Sequence, residues 1–158
     1  MSIKKNVYLD TSIPSYLFDN REDIKTYIEI TQAWWEQERH NFDIWISQET
    51  ITELSQGNYP SQQDTLESIS QIQVLQPCQQ IANIAQVYID NYLMPRVLKG
   101  DALHLAYASF YKMDFLLTWN CNHLANANKK QHISIINTRL KLFTPELVTP
   151  SQLFTETM

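Results

Sequence analysis

The run Val7-Tyr8-Leu9-Asp10-Thr11-Ser12-Ile13-Pro14 constrains this chain most. Apolar and aromatic strand formers stop at a carboxylate, two hydroxyls follow, and a proline sits where the first turn of a helix needs no amide proton. That order predicts a buried strand delivering Asp10 to its C-terminal tip, with Thr11 or Ser12 capping a helix that Pro14 begins. Open α/β sheets bind their ligands beyond the carboxyl ends of the strands, so Asp10 is a candidate for chemistry.

The rest of the chain alternates between the two periodicities. Ile24, Tyr27, Ile28, Trp34 and Trp35 predict an amphipathic helix over Asp23 to Arg39, and Phe42 to Ser47 a second strand. Ser47 is placed to cap a helix over Gln48 to Gln56, which Gly57 closes. A helix from Ser61 to about Ser70 and a short strand around Ile72 to Leu75 follow. Gln79 to Leu93 carries one apolar face, Pro95 and Gly100 break the chain, and Asp101 to Lys112 reads as a helix apolar nearly all round, hence buried. Phe115 to Asn120 is apolar enough for a strand covered on both faces. A short helix over His123 to Asn128, a fifth strand over Ile133 to Asn137 and a small one over Leu147 to Pro150 complete the reading. Strands alternating with helices imply a parallel sheet of four to five strands between helical layers, a three-layer α/β/α sandwich.

Composition excludes several alternatives. At 158 residues, 44% hydrophobic and 18% charged, the chain reads as one globular domain over residues 1–158. Two glycines, Gly57 and Gly100, leave no glycine-rich phosphate loop, and each should mark a local backbone need. A net charge of −5 argues against gripping long nucleic acid by electrostatics alone. Cys78 and Cys121 form neither a disulfide framework nor a zinc pattern. No membrane span and no signal-peptide core is visible, so a reducing cytoplasm is the expected location.

In this scheme Asp10, Glu53, Asp101 and Asn120 share one address. Carboxylates gathered at one mouth repel unless a cation neutralises them, and hard oxygen ligands without paired Cys or His suit Mg²⁺ or Mn²⁺. The motifs Tyr8-Leu9-Asp10-Thr11-Ser12, Ser47 through Glu53-Leu54, Gly100-Asp101-Ala102-Leu103-His104-Leu105-Ala106, Leu116-Leu117-Thr118-Trp119-Asn120 and the closing Leu147-Val148-Thr149-Pro150 resemble, in order and spacing, a PIN-domain protein, most of all the small VapC-type toxins. The resemblance covers nearly the whole chain. It implies an endoribonuclease whose acidic pocket binds Mg²⁺ or Mn²⁺ and hydrolyses RNA, with a small antitoxin protein as partner and a homodimer as the assembly.

By position, Asp10, Glu53 and Asp101 match the family's first three acids and are the expected metal ligands. Thr11, Ser12 and Thr118 would orient ligands or phosphate, and Arg96 and Lys99 would meet RNA phosphate. The fourth catalytic position, commonly Asp, is Asn120 here, an amide that coordinates or hydrogen-bonds without adding charge. That departure motivates an alternative, a catalytically weak PIN module acting by binding RNA or protein. A phosphatase-like hydrolase ranks lower, because the second Asp such enzymes carry two residues on is Ser12.

Taken singly, these residues have plainer readings. Asp10 and Asp101 are each good helix caps, and Glu53 a good solvated helix residue. His104 reads as a hydrogen-bonded core histidine rather than a ligand, and His123 as a surface residue near the mouth. Trp34, Trp35 and Tyr27 read as core or interface packing before a base-stacking platform, and Cys121 as a small, partly buried residue.

Overall fold

The computed structural model describes residues 3–91, 99–120 and 127–155. Its sheet contains β1 (Lys5–Leu9), β2 (Phe42–Ser47), β3 (Gln73–Leu75), β4 (Phe115–Leu117) and β5 (Glu146–Val148), all parallel, in the order β3-β2-β1-β4-β5. The helices are α1 (Ser12–Leu17), α2 (Lys25–Gln37), α3 (Gln48–Ser55), α4 (Gln62–Ser68), α5 (Gln79–Asp90), α6 (Lys99–Phe110) and α7 (Ala127–Arg139). The central strand β1 pairs with β2 on one side and β4 on the other. Strand order reverses across it, which opens a crevice at the carboxyl ends of β1 and β4.

Alternation along the strands builds the two outer layers. Val7 and Leu9 point to one face, where Ile13, Trp34, Ile46, Leu54 and Leu117 pack; Tyr8, Leu116 and Leu147 point to the other, against residues of α5, α6 and α7. Val7, Tyr8, Leu9, Leu116 and Leu117 are fully buried, as a strand covered on both faces requires. Trp34 lies in the core and its Nε1 donates to Leu153 O at 2.9 Å, so it serves packing, as read from the sequence. Trp35 is half-buried under Arg39, whose guanidinium lies 4.9 Å from its ring centroid. Among the described residues no helix is long and apolar enough to cross a membrane.

One predicted strand is a helix. Ile133 to Asn137 belongs to α7, and the fifth strand is Glu146–Val148 instead. Ile133 and Ile135 suggest strand alternation, but Ile133, Ile136 and Asn137 are the buried residues while Ile135 is 47% exposed, which is helical spacing. Two boundaries also move. β4 stops at Leu117, three residues short of Asn120, and α6 begins at Lys99, so Gly100 lies within its first turn rather than breaking the chain. The helix expected at His123 to Asn128 lies mostly outside the described residues.

Asn137 ties the outer layer together. Tyr88 Oη donates to Asn137 Oδ1 at 2.6 Å, and Asn137 Nδ2 reaches Ser109 Oγ at 3.0 Å and Phe143 O at 3.3 Å, joining α5, α6, α7 and the approach to β5. Burial pushes the Tyr88 hydroxyl up to about 12, so it remains a donor. Asn137→Ala should cost about 1–3 kcal/mol in urea unfolding, because it strands buried polar partners. An unchanged midpoint would contradict this placement of α7.

Candidate active site

Asp10 extends the β1–β4 ladder by one bond, its amide donating to Leu117 O at 3.2 Å, and its carboxylate is only 4% exposed. A buried carboxylate must be hydrogen-bonded, and here the donors come from the residues just past β1 and just past β4. Oδ1 accepts from the Ser12 amide at 3.0 Å and the Ser12 hydroxyl at 2.5 Å; Oδ2 accepts from the Thr118 hydroxyl. The two hydroxyls are oriented in turn, since Ser12 Oγ accepts from Trp119 N at 3.0 Å and Thr118 Oγ1 from Asn120 N at 2.9 Å. With an amide proton on one side, each hydroxyl directs its own proton at Asp10. Thr11 and Ser12 therefore do not cap α1 with their side chains as expected; Asp10 meets the Ser12 amide instead, and α1 starts at Ser12 with Pro14 inside its first turn.

Glu53, on α3, is clamped. His104 Nε2 lies 2.5 Å from Glu53 Oε1, and the Thr11 hydroxyl donates to the same oxygen at 2.6 Å. A carboxylate only accepts, so Nε2 carries the proton. His104 Nδ1 sits 2.5 Å from the Tyr8 hydroxyl, which lies 2.7 Å from Ser47 Oγ. Glu53 Oε2 rests against Gly100, where a Cβ would approach it to 2.6 Å. Gly100 thus marks a close backbone approach, while Gly57, at φ +69°, marks the helix end, which gives both glycines the local need the sequence suggested.

The electrostatics follow from this packing. Burial raises the Asp10 carboxyl, against the lowering effect of His104, Ser12 and Thr118, and the nearby charge of Asp101 adds to the rise. Partial burial works against the Glu53 anion, but the His104 and Thr11 contacts outweigh it and hold the carboxyl below its usual range. Burial works to lower His104, yet Glu53, with Asp10 and Asp101 behind it, raises it above the ordinary imidazole value. Asp101, in the first turn of α6, accepts from Asn120 Nδ2 at 2.7 Å.

The fold thus brings Asp10, Thr11, Ser12, Glu53, Asp101, Thr118 and Asn120 to one crevice, linked by hydrogen bonds or by one shared field. Among the described residues, however, no group of three or more His, Cys, Asp or Glu is disposed to hold a metal ion. The hard oxygens of Asp10 and Asp101, neighbours of like charge with Asn120 alongside, fit a divalent cation; Glu53 has one oxygen committed to His104 and Thr11. Arg96, Cys121 and His123 lie outside the described residues. His104, 2% exposed, is the hydrogen-bonded core residue expected, but what it bonds is the site itself. Its place three residues after Asp101 puts both on one helix face, a spacing that carried the signal. Tyr8, fully buried and reaching His104 from the opposite side of β1 to Val7 and Leu9, carried none beyond its apolar context.

A family model described as PIN domain matches residues 7–123. No curated protein matches the sequence. Among solved structures, a toxin-antitoxin complex from Klebsiella pneumoniae is similar with a TM-score of 0.59 at 23% identity, covering 91% of this chain and 97% of that one. A VapBC2 structure from Rickettsia felis, bound to a DNA fragment from its promoter, has a TM-score of 0.58 at 14% identity, with 91% and 98% covered. VapBC-1 from nontypeable Haemophilus influenzae has a TM-score of 0.54 at 20% identity, with 92% and 98% covered. The fold is shared with all three, and the family match takes in β1 through β4 together with Asp10, Glu53, Asp101 and Asn120: the chain belongs to the PIN domain family.

Proposed function

We propose that this protein is a metal-dependent endoribonuclease acting in the cytoplasm as the toxin of a toxin-antitoxin pair, inhibited by a small antitoxin protein and assembled as a homodimer. The observation that carries the catalytic part is Asp10, a buried carboxylate at the carboxyl end of the central strand, held by oriented hydroxyls and sharing one field with Asp101. The pairing with an antitoxin rests on the three similar structures, each of a toxin-antitoxin or VapBC assembly.

Asp10 and Asp101 would hold Mg²⁺ or Mn²⁺, which when bound supplies positive charge to the scissile phosphate and makes a water more acidic. Ser12 and Thr118 keep the Asp10 oxygens in place, and the Asn120 amide does the same for Asp101. Glu53 presents Oε2 to take the proton of an attacking water, because Oε1 is spent on His104 and Thr11. The 3′ oxygen of the RNA leaves. The weaker alternative, a binding module with little hydrolysis, is favoured by Asn120 donating to Asp101 where the family commonly has a further acid.

Wild-type protein should cut single-stranded RNA with Mn²⁺ or Mg²⁺ and stop when EDTA is added, and Asp10→Asn or Asp101→Asn should each lower the rate by roughly 100-fold or more. Cleavage undiminished in both variants would remove the nuclease reading; no cleavage by wild type would favour the binding module. Gly100→Ala, which pushes on Glu53 Oε2, should slow turnover roughly 10–100-fold with little change in melting temperature, and a normal rate would dissociate Glu53 from the reaction. Asn120→Asp replaces a donor to Asp101 with a like charge. Calorimetry should show tighter Mn²⁺ binding together with a metal-free melting point lowered by roughly 2–4 °C, about 1 kcal/mol for a chain of this size. A higher metal-free melting point would contradict the contact.

A further inference from the structure

Thr11 and Glu53 face two ways: they belong to the carboxylate cluster and also line a cavity of about 460 Å³ that runs away from it between the end of α1 and the start of α4. That volume is in the range of clefts that enclose one small planar ligand, roughly 300–1,000 Å³. Two aromatic rings line it. Phe18, just past α1, is 41% exposed, which leaves part of its ring open to a ligand in the cavity. Tyr59 is fixed by its hydroxyl, which donates to Leu54 O at 2.6 Å, and Pro60 stiffens the backbone beside it.

The charge of the lining selects the ligand. Its cation, Arg21, is forked onto Asp19, with Nε to Oδ2 at 3.0 Å and Nη2 to Oδ2 at 2.8 Å. With Arg21 paired to Asp19 and Glu53 paired to His104, no cation of the lining is left over for a phosphate, and the cavity suits a neutral aromatic group with polar edges. Ser15, Asn20 and Ser61 supply hydrogen-bonding groups around the rim. The cavity also begins where the candidate scissile phosphate would lie, since Glu53 is common to both.

We infer that this cavity is a nucleobase subsite: it receives the base of the nucleotide next to the bond that is cut, stacked on Phe18 with Tyr59 as the opposite wall. The inference rests on the nuclease reading and adds its substrate contact. Base stacking on an aromatic side chain is sequence-tolerant, so Phe18 supplies affinity and position, while the rim hydroxyls and amide supply preference among bases.

The test uses full-length protein carrying Asp10→Asn, so that RNA is bound and not consumed, and fluorescence anisotropy with a short fluorescein-labelled single-stranded RNA in the presence of Mn²⁺. Phe18→Ala should weaken binding about tenfold, the scale of one lost stack, and Phe18→Trp should restore it. Replacing single nucleotides by abasic residues should reveal one position where the Phe18 protein loses about tenfold and the Phe18→Ala protein loses nothing more. Unchanged binding by Phe18→Ala overturns the subsite, as does an abasic penalty that adds to the Phe18→Ala loss at every position. So does a Phe18→Ala defect seen only in capture of a protein partner. If the protein with Asp10 intact cuts no RNA while the abasic coupling persists, the nuclease reading falls and the subsite stands; cleavage without coupling removes the subsite alone.

Discussion

A carboxylate at the end of a strand buried on both faces is expensive, and the architecture of this crevice is a response to that cost. Asp10 is desolvated by the same packing that makes β1 the centre of the sheet. Its anion survives only with donors on both oxygens, and those donors come from the two chain segments that leave the sheet there, Ser12 after β1 and Thr118 after β4. Thr118, just past β4, serves both sides at once: its amide donates to Val148 O at 2.9 Å, one more bond of the β4–β5 ladder, while its hydroxyl turns to Asp10. The hydroxyls can serve because backbone amides of Trp119 and Asn120 occupy their lone pairs, so the site is wired through the main chain of the β4 turn.

Much of this was legible from residues alone, for identifiable reasons. β1, β2 and β4 are short apolar runs bounded by polar residues, and Ser47 before Gln48 is a capping signal that the structure uses, with Ser47 Oγ accepting from Glu49 N at 3.2 Å. The address shared by Asp10, Asp101 and Asn120 followed from placing them at strand and helix ends. What misled was ambiguity of period. Ile133-Ser134-Ile135-Ile136 satisfies both a strand and a helix over so short a window, and the burial of Ile136 and Asn137 with Ile133, against an exposed Ile135, decides it. Of the two roles read for Thr11 and Ser12, the structure uses the orienting one: their hydroxyls donate to Glu53 and Asp10, and neither caps α1 with its side chain. The partnership of Tyr8 and His104 spans ninety-six positions, which no local pattern can report.

His104 changes how the acidic cluster is understood. Three like charges in one crevice would repel in the absence of a cation, yet the fold supplies its own counter-group: Glu53 turns to His104 and Thr11, and His104 is backed by Tyr8 from the far side of β1. The Tyr8 hydroxyl, raised by its burial and bonded to Ser47, cannot become a competing anion. The cation proposed for Asp10 and Asp101 would therefore not have to compensate all of the negative charge, and the role proposed for Glu53 would not require it to be a ligand. This division of labour leaves Oε2, wedged against the one residue type that has no Cβ, as the part of Glu53 available to chemistry.

The same division bears on how an acidic protein meets an anionic substrate. At a net charge of −5 the chain gains little from long-range attraction to RNA, so the RNA binding proposed above would have to come from short-range terms at the crevice. One would be the cation proposed for Asp10 and Asp101; the other would be apolar contact, which carries no charge penalty. The inferred base subsite beside Glu53 would offer the second, with its arginine already paired with Asp19 and Phe18 partly exposed. Affinity that depends on stacking and a single cation is less sensitive to salt than affinity built from many phosphate contacts. A shallow salt dependence of RNA binding, with a slope well below that of a basic nucleic-acid-binding protein, is the signature this surface should give. A steep one would mean that the phosphate contacts lie elsewhere on the chain.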